Sequence, residues 1–220
     1  QSYDSMRRYV KACAFWAKIW GVGDYRYLWH TPSFVHFGDW VSPDAEKMSE
    51  WQARSKYTAT ASLYRSSHLL SQIAGVLGNK EDEASFEKLA KHVAKAYRNI
   101  LSDGQGKMKK QFQTAYVLPI AFDMLPQDEE KKAVANLVKL VQEKNYQIGT
   151  GFPGTPFILF ALADHGEADT AYRMLFNEQC PSWLYAVKMG ATSIWEKFDG
   201  LDENGYCRPS KDGTDNMISF

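Results

Sequence analysis

The chain has 220 residues, 45% of them hydrophobic and 24% charged, and its 26 basic side chains are balanced by 26 acidic ones. That length supports one large domain with a core of its own, and the charge balance leaves no field to recruit nucleic acid or an anionic membrane. The longest apolar run, Phe157 to Ala163, falls far short of the roughly 20 residues that a membrane-spanning helix needs.

Between Ser5 and Trp20, Met6, Tyr9, Val10, Cys13, Trp16 and Ile19 recur at helical spacing and predict an amphipathic helix ended by Gly21 and Gly23. Tyr9, Trp16 and Trp20 are expected in its core face. Residues 21 to 56 lack sustained periodicity and hold Pro32, Gly38 and Pro43, so they read as a long aromatic-rich loop. Loops of that length inside compact domains are often functional.

Helices dominate the remainder. Thr58 to Leu77 carries Leu63, Leu70, Ile73, Ala74 and Leu77 on one stripe, with Gly78-Asn79 as a C-terminal stop. Asp82 to Leu101 repeats the design with Phe86, Leu89, Val93, Tyr97 and Ile100, and residues 102 to 110 form a turn. Thr114 to Leu125 is short and apolar, stopped by Pro126. Asp128 is expected to cap the next helix, whose stripe is Val134, Leu137, Val138 and Val141. After Gly149, Gly151 and Gly154, Thr155-Pro156 reads as N-cap and first-turn proline of a helix running to about Asp164. Glu167 to Phe176 is its partner, and beyond Gly200 no element is predicted. Helix hairpins with no convincing strand pair make a bundle, a solenoid or a closed toroid. No repeat of 33 to 47 residues is present, as the common helical solenoids would require.

Several chemistries have no foothold. Cys13, Cys180 and Cys207 are odd in number and contain no CxxC pair, so they read as free thiols. His30, His36, His68, His92 and His165 form no HxH or HxxxH pair, and neither a metal nor a cofactor is expected. No nucleophile elbow starts a Ser-His-Asp triad. Thr150-Gly-Phe-Pro-Gly-Thr155 lacks the Lys-Ser/Thr ending of a phosphate loop and reads as a rim loop.

What stands out is Gly190-Ala-Thr-Ser-Ile-Trp-Glu196, which sets a carboxylate beside an indole. Sugar hydrolysis uses both, the carboxylate to move a proton and the aromatic face to pack on a pyranose ring. Phe37-Gly-Asp-Trp40 has matching chemistry: close backbone approach at Gly38, two acceptor oxygens on Asp39, a stacking ring on Trp40. On those residues alone, a turn aspartate with a core tryptophan and a solvated surface glutamate are the simpler accounts.

Taken together and in order, Tyr3-Asp-Ser-Met-Arg-Arg-Tyr-Val10, Phe37-Gly-Asp-Trp40, Gln113-Thr-Ala-Tyr116, Thr150-Gly-Phe-Pro-Gly-Thr155, Gln179-Cys-Pro-Ser-Trp183 and Gly190-Ala-Thr-Ser-Ile-Trp-Glu196 change that balance. They resemble the catalytic domain of bacterial α-L-rhamnosidases, glycoside hydrolase family 78, over nearly the whole chain. The resemblance implies an all-α, (α/α)6 toroid of helix hairpins and inverting hydrolysis of terminal α-L-rhamnosides, with a carbohydrate as the partner. It implies Glu196 as the general base, and Asp39, Trp40, Trp183 and Trp195 as substrate-binding residues.

Two departures stand out. The family's general acid lies in an Asp-x-x-Arg-x-Glu-Arg segment that these residues do not contain, and the family follows Ser-Phe with Asn-His, whereas this sequence stops at Ser219-Phe220. The expectation is therefore a single domain, 1–220, forming the middle-to-late part of a larger catalytic domain. It would be inactive alone, with exposed apolar faces that favour homo-oligomers. The compartment is left open. Two rivals remain: another toroid carbohydrate-active enzyme, such as a different glycosidase or a polysaccharide lyase, and a non-catalytic helical binding module.

Overall fold

The breadth of apolar surface on each helix sorts the chain into two layers. The structure, a computed structural model, describes residues 2–19, 21–29, 36–209 and 211. It is 58% helical, and among the described residues there is no strand, only the isolated antiparallel bridges Ser102–Met108 and Leu201–Cys207. The helices are α1 (Ser2–Ile19), α2 (Met48–Gln52), α3 (Ser55–Val76), α4 (Lys80–Leu101), α5 (Gln113–Ala121), α6 (Gln127–Glu143), α7 (Ile158–Ala163), α8 (Ala168–Leu175) and α9 (Trp183–Lys188).

Helix α5 is buried on every side from Gln113 to Ile120, whereas α4 buries Asp82 in its first turn and then the apolar stripe Phe86, Ala90, Val93, Ala96, Tyr97 and Leu101. Likewise α6 buries Ala133, Val134, Leu137 and Val141 and turns its lysines outward. A helix apolar all round belongs inside and an amphipathic one outside. The packing follows: α3 lies on α4, α5 on α6 and α7 on α8, while α3, α5 and α7 touch one another in sequence. This is an inner row of helices, each backed by its outer partner, as in the hairpin toroid that the sequence predicts.

Pro119 sits within α5. A helical proline cannot donate to the carbonyl four residues back, here that of Ala115. The hydroxyl of Tyr97, reaching across from α4, donates to that carbonyl at 3.0 Å, so this buried acceptor is paired despite the proline.

Local expectations fail at particular places. Residues 21 to 56 contain a 3-10 turn, Gly23–Tyr27, and the short α2, and α3 begins at Ser55 rather than Thr58. Pro126, not Asp128, occupies the N-cap of α6, and Asp128 sits in the first turn with Glu129 and Glu130. Thr155 does not cap α7, which starts at Ile158. Its hydroxyl instead closes the rim loop on itself, donating to the Gly151 carbonyl at 2.9 Å. Asn79 caps the start of α4 by accepting from the Asp82 N–H at 3.1 Å.

The largest correction concerns α1. Val10 and Ala17 are its buried residues, while Tyr9 is 65% and Trp16 49% exposed. Spacing shows that a helix has an apolar face; it does not show what covers that face. Trp20 and the Ser219-Phe220 ending lie outside the described residues. No helix among those described is long and apolar enough to cross a membrane.

Candidate active site

The segments that precede the inner helices, together with residues 190–196 after α9, meet at one rim of the fold. There, residues far apart in the chain come into hydrogen-bond contact. The Trp40 indole N–H donates to Glu196 Oε1 at 2.8 Å, across a separation of 156 residues. Beside them lies a cavity of about 550 Å³ whose wall includes Thr150, Phe152, Trp183, Trp195, Glu196 and Phe198. It is a concave, mostly apolar site with one carboxylate on its wall, the combination expected of a small-molecule pocket.

Backbone constraints build the Trp40 loop. Gly38 has φ +69, and a Cβ there would stand 1.8 Å from the Trp51 carbonyl oxygen, so only glycine fits. Asp39 N–H donates to that same carbonyl at 3.0 Å. Val41, on the cavity wall, has φ 49, a conformation that a β-branched residue adopts only when its surroundings impose it. The Trp40 ring packs edge-on against Phe37 and Trp51, with centroids 4.9 and 5.4 Å away.

The rim loop 149–155 is laced to this one. Phe152 N–H donates to the Trp40 carbonyl at 2.9 Å, and Gly151 N–H to Asp39 Oδ1 at 3.1 Å. A Cβ on Gly151 would lie 2.4 Å from the Trp40 carbonyl oxygen, which explains the glycine. Gln113, at the start of α5, accepts from Gly149 N–H at 2.7 Å and donates to the Gln147 carbonyl at 3.2 Å.

Residues 179–196 form the opposite wall. Ser182 caps α9, its hydroxyl accepting from Tyr185 N–H at 3.0 Å, which sets Trp183 at the first helical position. Trp183 packs edge-on against Phe198 at 5.8 Å. Gly190, at φ +87, turns the chain back after α9, and Trp195 is buried against Tyr185, Ala186 and Leu201.

The sequence-derived site residues therefore separate into three groups. Glu196, Trp183 and Trp195 form the cavity wall. Trp40 contacts Glu196 instead of forming that wall. Asp39 is fully buried; one of its oxygens accepts from Gly151 and the other from Arg54, so its carboxylate has no surface to offer a sugar. Burial pushes its pKa up from 3.8 to about 6, although the Arg54 guanidinium pulls the other way. Arg54 itself, Val41 and Phe198 had no motif to announce them, whereas Phe152 lies within the Thr150–Thr155 motif, which does not single it out as a site residue. Among the described residues, no group of three His, Cys, Asp or Glu side chains is placed to hold a metal.

Paired helices in two layers, with a carboxylate and aromatic walls at one rim, define a helix-hairpin domain of the toroid class. The family model described as bacterial alpha-L-rhamnosidase 6 hairpin glycosidase domain matches residues 1–219, and the chain belongs to that family. It is 32% identical over 222 residues to an alpha-L-rhamnosidase of Formosa agariphila, covering 100% of this chain and 23% of that protein. It is 36% identical over 181 residues to one of Alteromonas sp. (strain LOR), covering 79% of this chain and 20% of that protein. The solved structure of Streptomyces avermitilis alpha-L-rhamnosidase complexed with L-rhamnose aligns with a TM-score of 0.80 at 27% identity, over 99% of this chain and 20% of that one. The chain thus spans about a fifth of the length of the curated relatives it matches.

Proposed function

We propose that this chain supplies the water-activating half of an α-L-rhamnosidase site, with Glu196 as the general base of an inverting hydrolysis. The observation that carries this reading is the Trp40–Glu196 hydrogen bond at 2.8 Å on the edge of an aromatic-walled cavity. In the reaction, Glu196 takes a proton from water as the water oxygen bonds to the anomeric carbon. The bond to the leaving oxygen breaks on the opposite face, and that oxygen receives a proton from a general acid.

Inverting enzymes hold their two carboxyl groups roughly 6.5–9.5 Å apart. No second acidic side chain lines this cavity among the described residues, so only the base is assigned here. Trp183 is assigned to the sugar, as a partly buried aromatic surface on the wall; Trp195 shapes the wall from behind, and Trp40 orients the base. Asp39 is assigned a positioning role, since its oxygens are already engaged. L-Rhamnose carries a methyl group where most hexoses carry a hydroxymethyl, and apolar walls suit it.

The test is steady-state kinetics on an aryl α-L-rhamnoside with the intact protein that carries this sequence. Glu196→Gln keeps size but cannot accept the proton, and general-base loss lowers kcat by about 100-fold or more. Retention of more than about a tenth of kcat removes Glu196 from the mechanism.

The apolar face of α1, with Tyr9, Phe15, Trp16 and Ile19 exposed, is the surface through which this chain on its own self-associates. Sedimentation of the isolated chain as a monomer contradicts that.

A further inference from the structure

Trp40 lies on a loop, yet its indole N–H meets Glu196 at 2.8 Å. A loop holds one side chain that closely only if other contacts fix its backbone. Those contacts converge on one cation. Arg54, 13% exposed at its side chain, places Nη1 3.1 Å from Asp39 Oδ2, 3.0 Å from Ser42 Oγ and 2.5 Å from Asp44 Oδ1. These three partners flank Trp40 on both sides. The guanidinium packs over the Phe112 ring, 4.4 Å from its centroid, so its own position is fixed from below.

Two of the partners pass the constraint onward. Asp39 Oδ1 accepts from Gly151 N–H at 3.1 Å, and Ser42 Oγ donates to the Gly149 carbonyl at 3.0 Å. The hub therefore couples the Trp40 loop to the rim loop that walls the cavity.

We propose that Arg54 is a positioning residue for catalysis: its guanidinium, buried behind the cavity, holds the 39–44 loop so that the Trp40 N–H orients the Glu196 carboxylate, a role that rests on Glu196 being the base. The chemistry favours arginine at this place. A planar guanidinium can face several acceptors and an aromatic ring at once, whereas an ammonium on a flexible stem holds no such fixed geometry. Removing the cation also leaves Asp39 and Asp44 facing each other with no counter-charge, one of them fully buried.

The experiment is a double-mutant cycle in the intact protein, read by steady-state kinetics on an aryl α-L-rhamnoside, with Arg54→Lys, Trp40→Phe, the pair together, and Glu196→Gln as reference. Arg54→Lys keeps charge and stem, which makes it a gentler change than Arg54→Met, and thermal melting confirms that each variant compared is folded. The expected result is a loss of about tenfold in kcat for Arg54→Lys with KM changed by less than about twofold, and a double variant no slower than the slower single one, because contacting residues in one network do not add. Two results overturn the proposal: Arg54→Lys with the kcat of the parent, or single losses that multiply in the double variant. If Glu196→Gln stays active, the base assignment itself falls and the role of Arg54 with it. If Glu196→Gln is inactive while the losses multiply, only the role of Arg54 falls.

Discussion

The Trp40 indole N–H donates to Glu196 Oε1 at 2.8 Å, joining two loops whose residues are 156 positions apart. The bond takes up the single donor of the indole and one oxygen of the carboxylate. Under the base role proposed for Glu196, Trp40 then acts by orienting that carboxylate rather than by stacking on sugar.

Trp40→Phe separates the two roles. Phenylalanine keeps an aromatic ring against Phe37 and Trp51 but has no N–H to donate. A hydrogen bond to a charged group contributes roughly 1.5–3 kcal/mol, so kcat is expected to fall by about 10- to 100-fold with KM nearly unchanged. Steady-state kinetics on the intact protein checks this; a raised KM at constant kcat would assign Trp40 to substrate binding instead.

Removing the base outright opens a chemical route back. In Glu196→Gly or Glu196→Ala, the space of the carboxylate can admit azide, which attacks the anomeric carbon without needing a proton removed. Added azide is expected to restore turnover and yield a glycosyl azide of inverted configuration, identified by NMR. A retained configuration would contradict the single displacement.

The sign of one pH effect follows from Asp39. Burial raises its pKa from 3.8 to about 6, with Arg54 acting in the opposite sense. Between those two values the folded state binds more protons than the unfolded state. The carboxyl group's contribution to stability is therefore full below about pH 4 and lost as pH rises through about 6. Two pH units correspond to roughly 3 kcal/mol. Denaturant melts of the parent and of Asp39→Asn are expected to show the parent losing ground to the variant by an amount of this order between pH 4 and pH 7. A difference that stays flat or moves the other way would mean Asp39 is not buried as described.

Glycine at position 38 answers to geometry as well as to conformation. Gly38→Ala puts a Cβ 1.8 Å from a backbone oxygen at φ +69, whereas Gly78, at φ +76, has nothing within 4 Å of the same added atom. Gly78→Ala is expected to cost only the left-handed strain, about 1–2 kcal/mol, and to leave kinetics alone. Gly38→Ala is expected to cost more than that and to lower kcat, because Asp39 and Trp40 must shift with it. Thermal melting and kinetics on both variants distinguish the two; equal effects would contradict the close approach.

The sequence by itself determined the longer helices, whereas the short α2 and α9 had no pattern to announce them. Periodic stripes such as Phe86, Val93 and Tyr97 mark an outer helix, and the uniformly apolar run around Pro119 marks an inner one, because burial of apolar surface acts residue by residue along a single element. It also carried the residue types of the site, Gly-Asp-Trp near the start and Ile-Trp-Glu near the end. The tertiary structure alone decided where those residues sit and what they touch. Tyr9 and Trp16 keep the helical spacing of a core face and still face outward, since spacing carries no information about the element opposite. Thr155 has the chemistry of a cap and spends its hydroxyl on its own loop. Asp39 can accept from a sugar in principle, but in the folded chain its oxygens are claimed by Arg54 and Gly151. A polar group has few bonds to make, and which partner takes them is settled by distances that only the fold fixes.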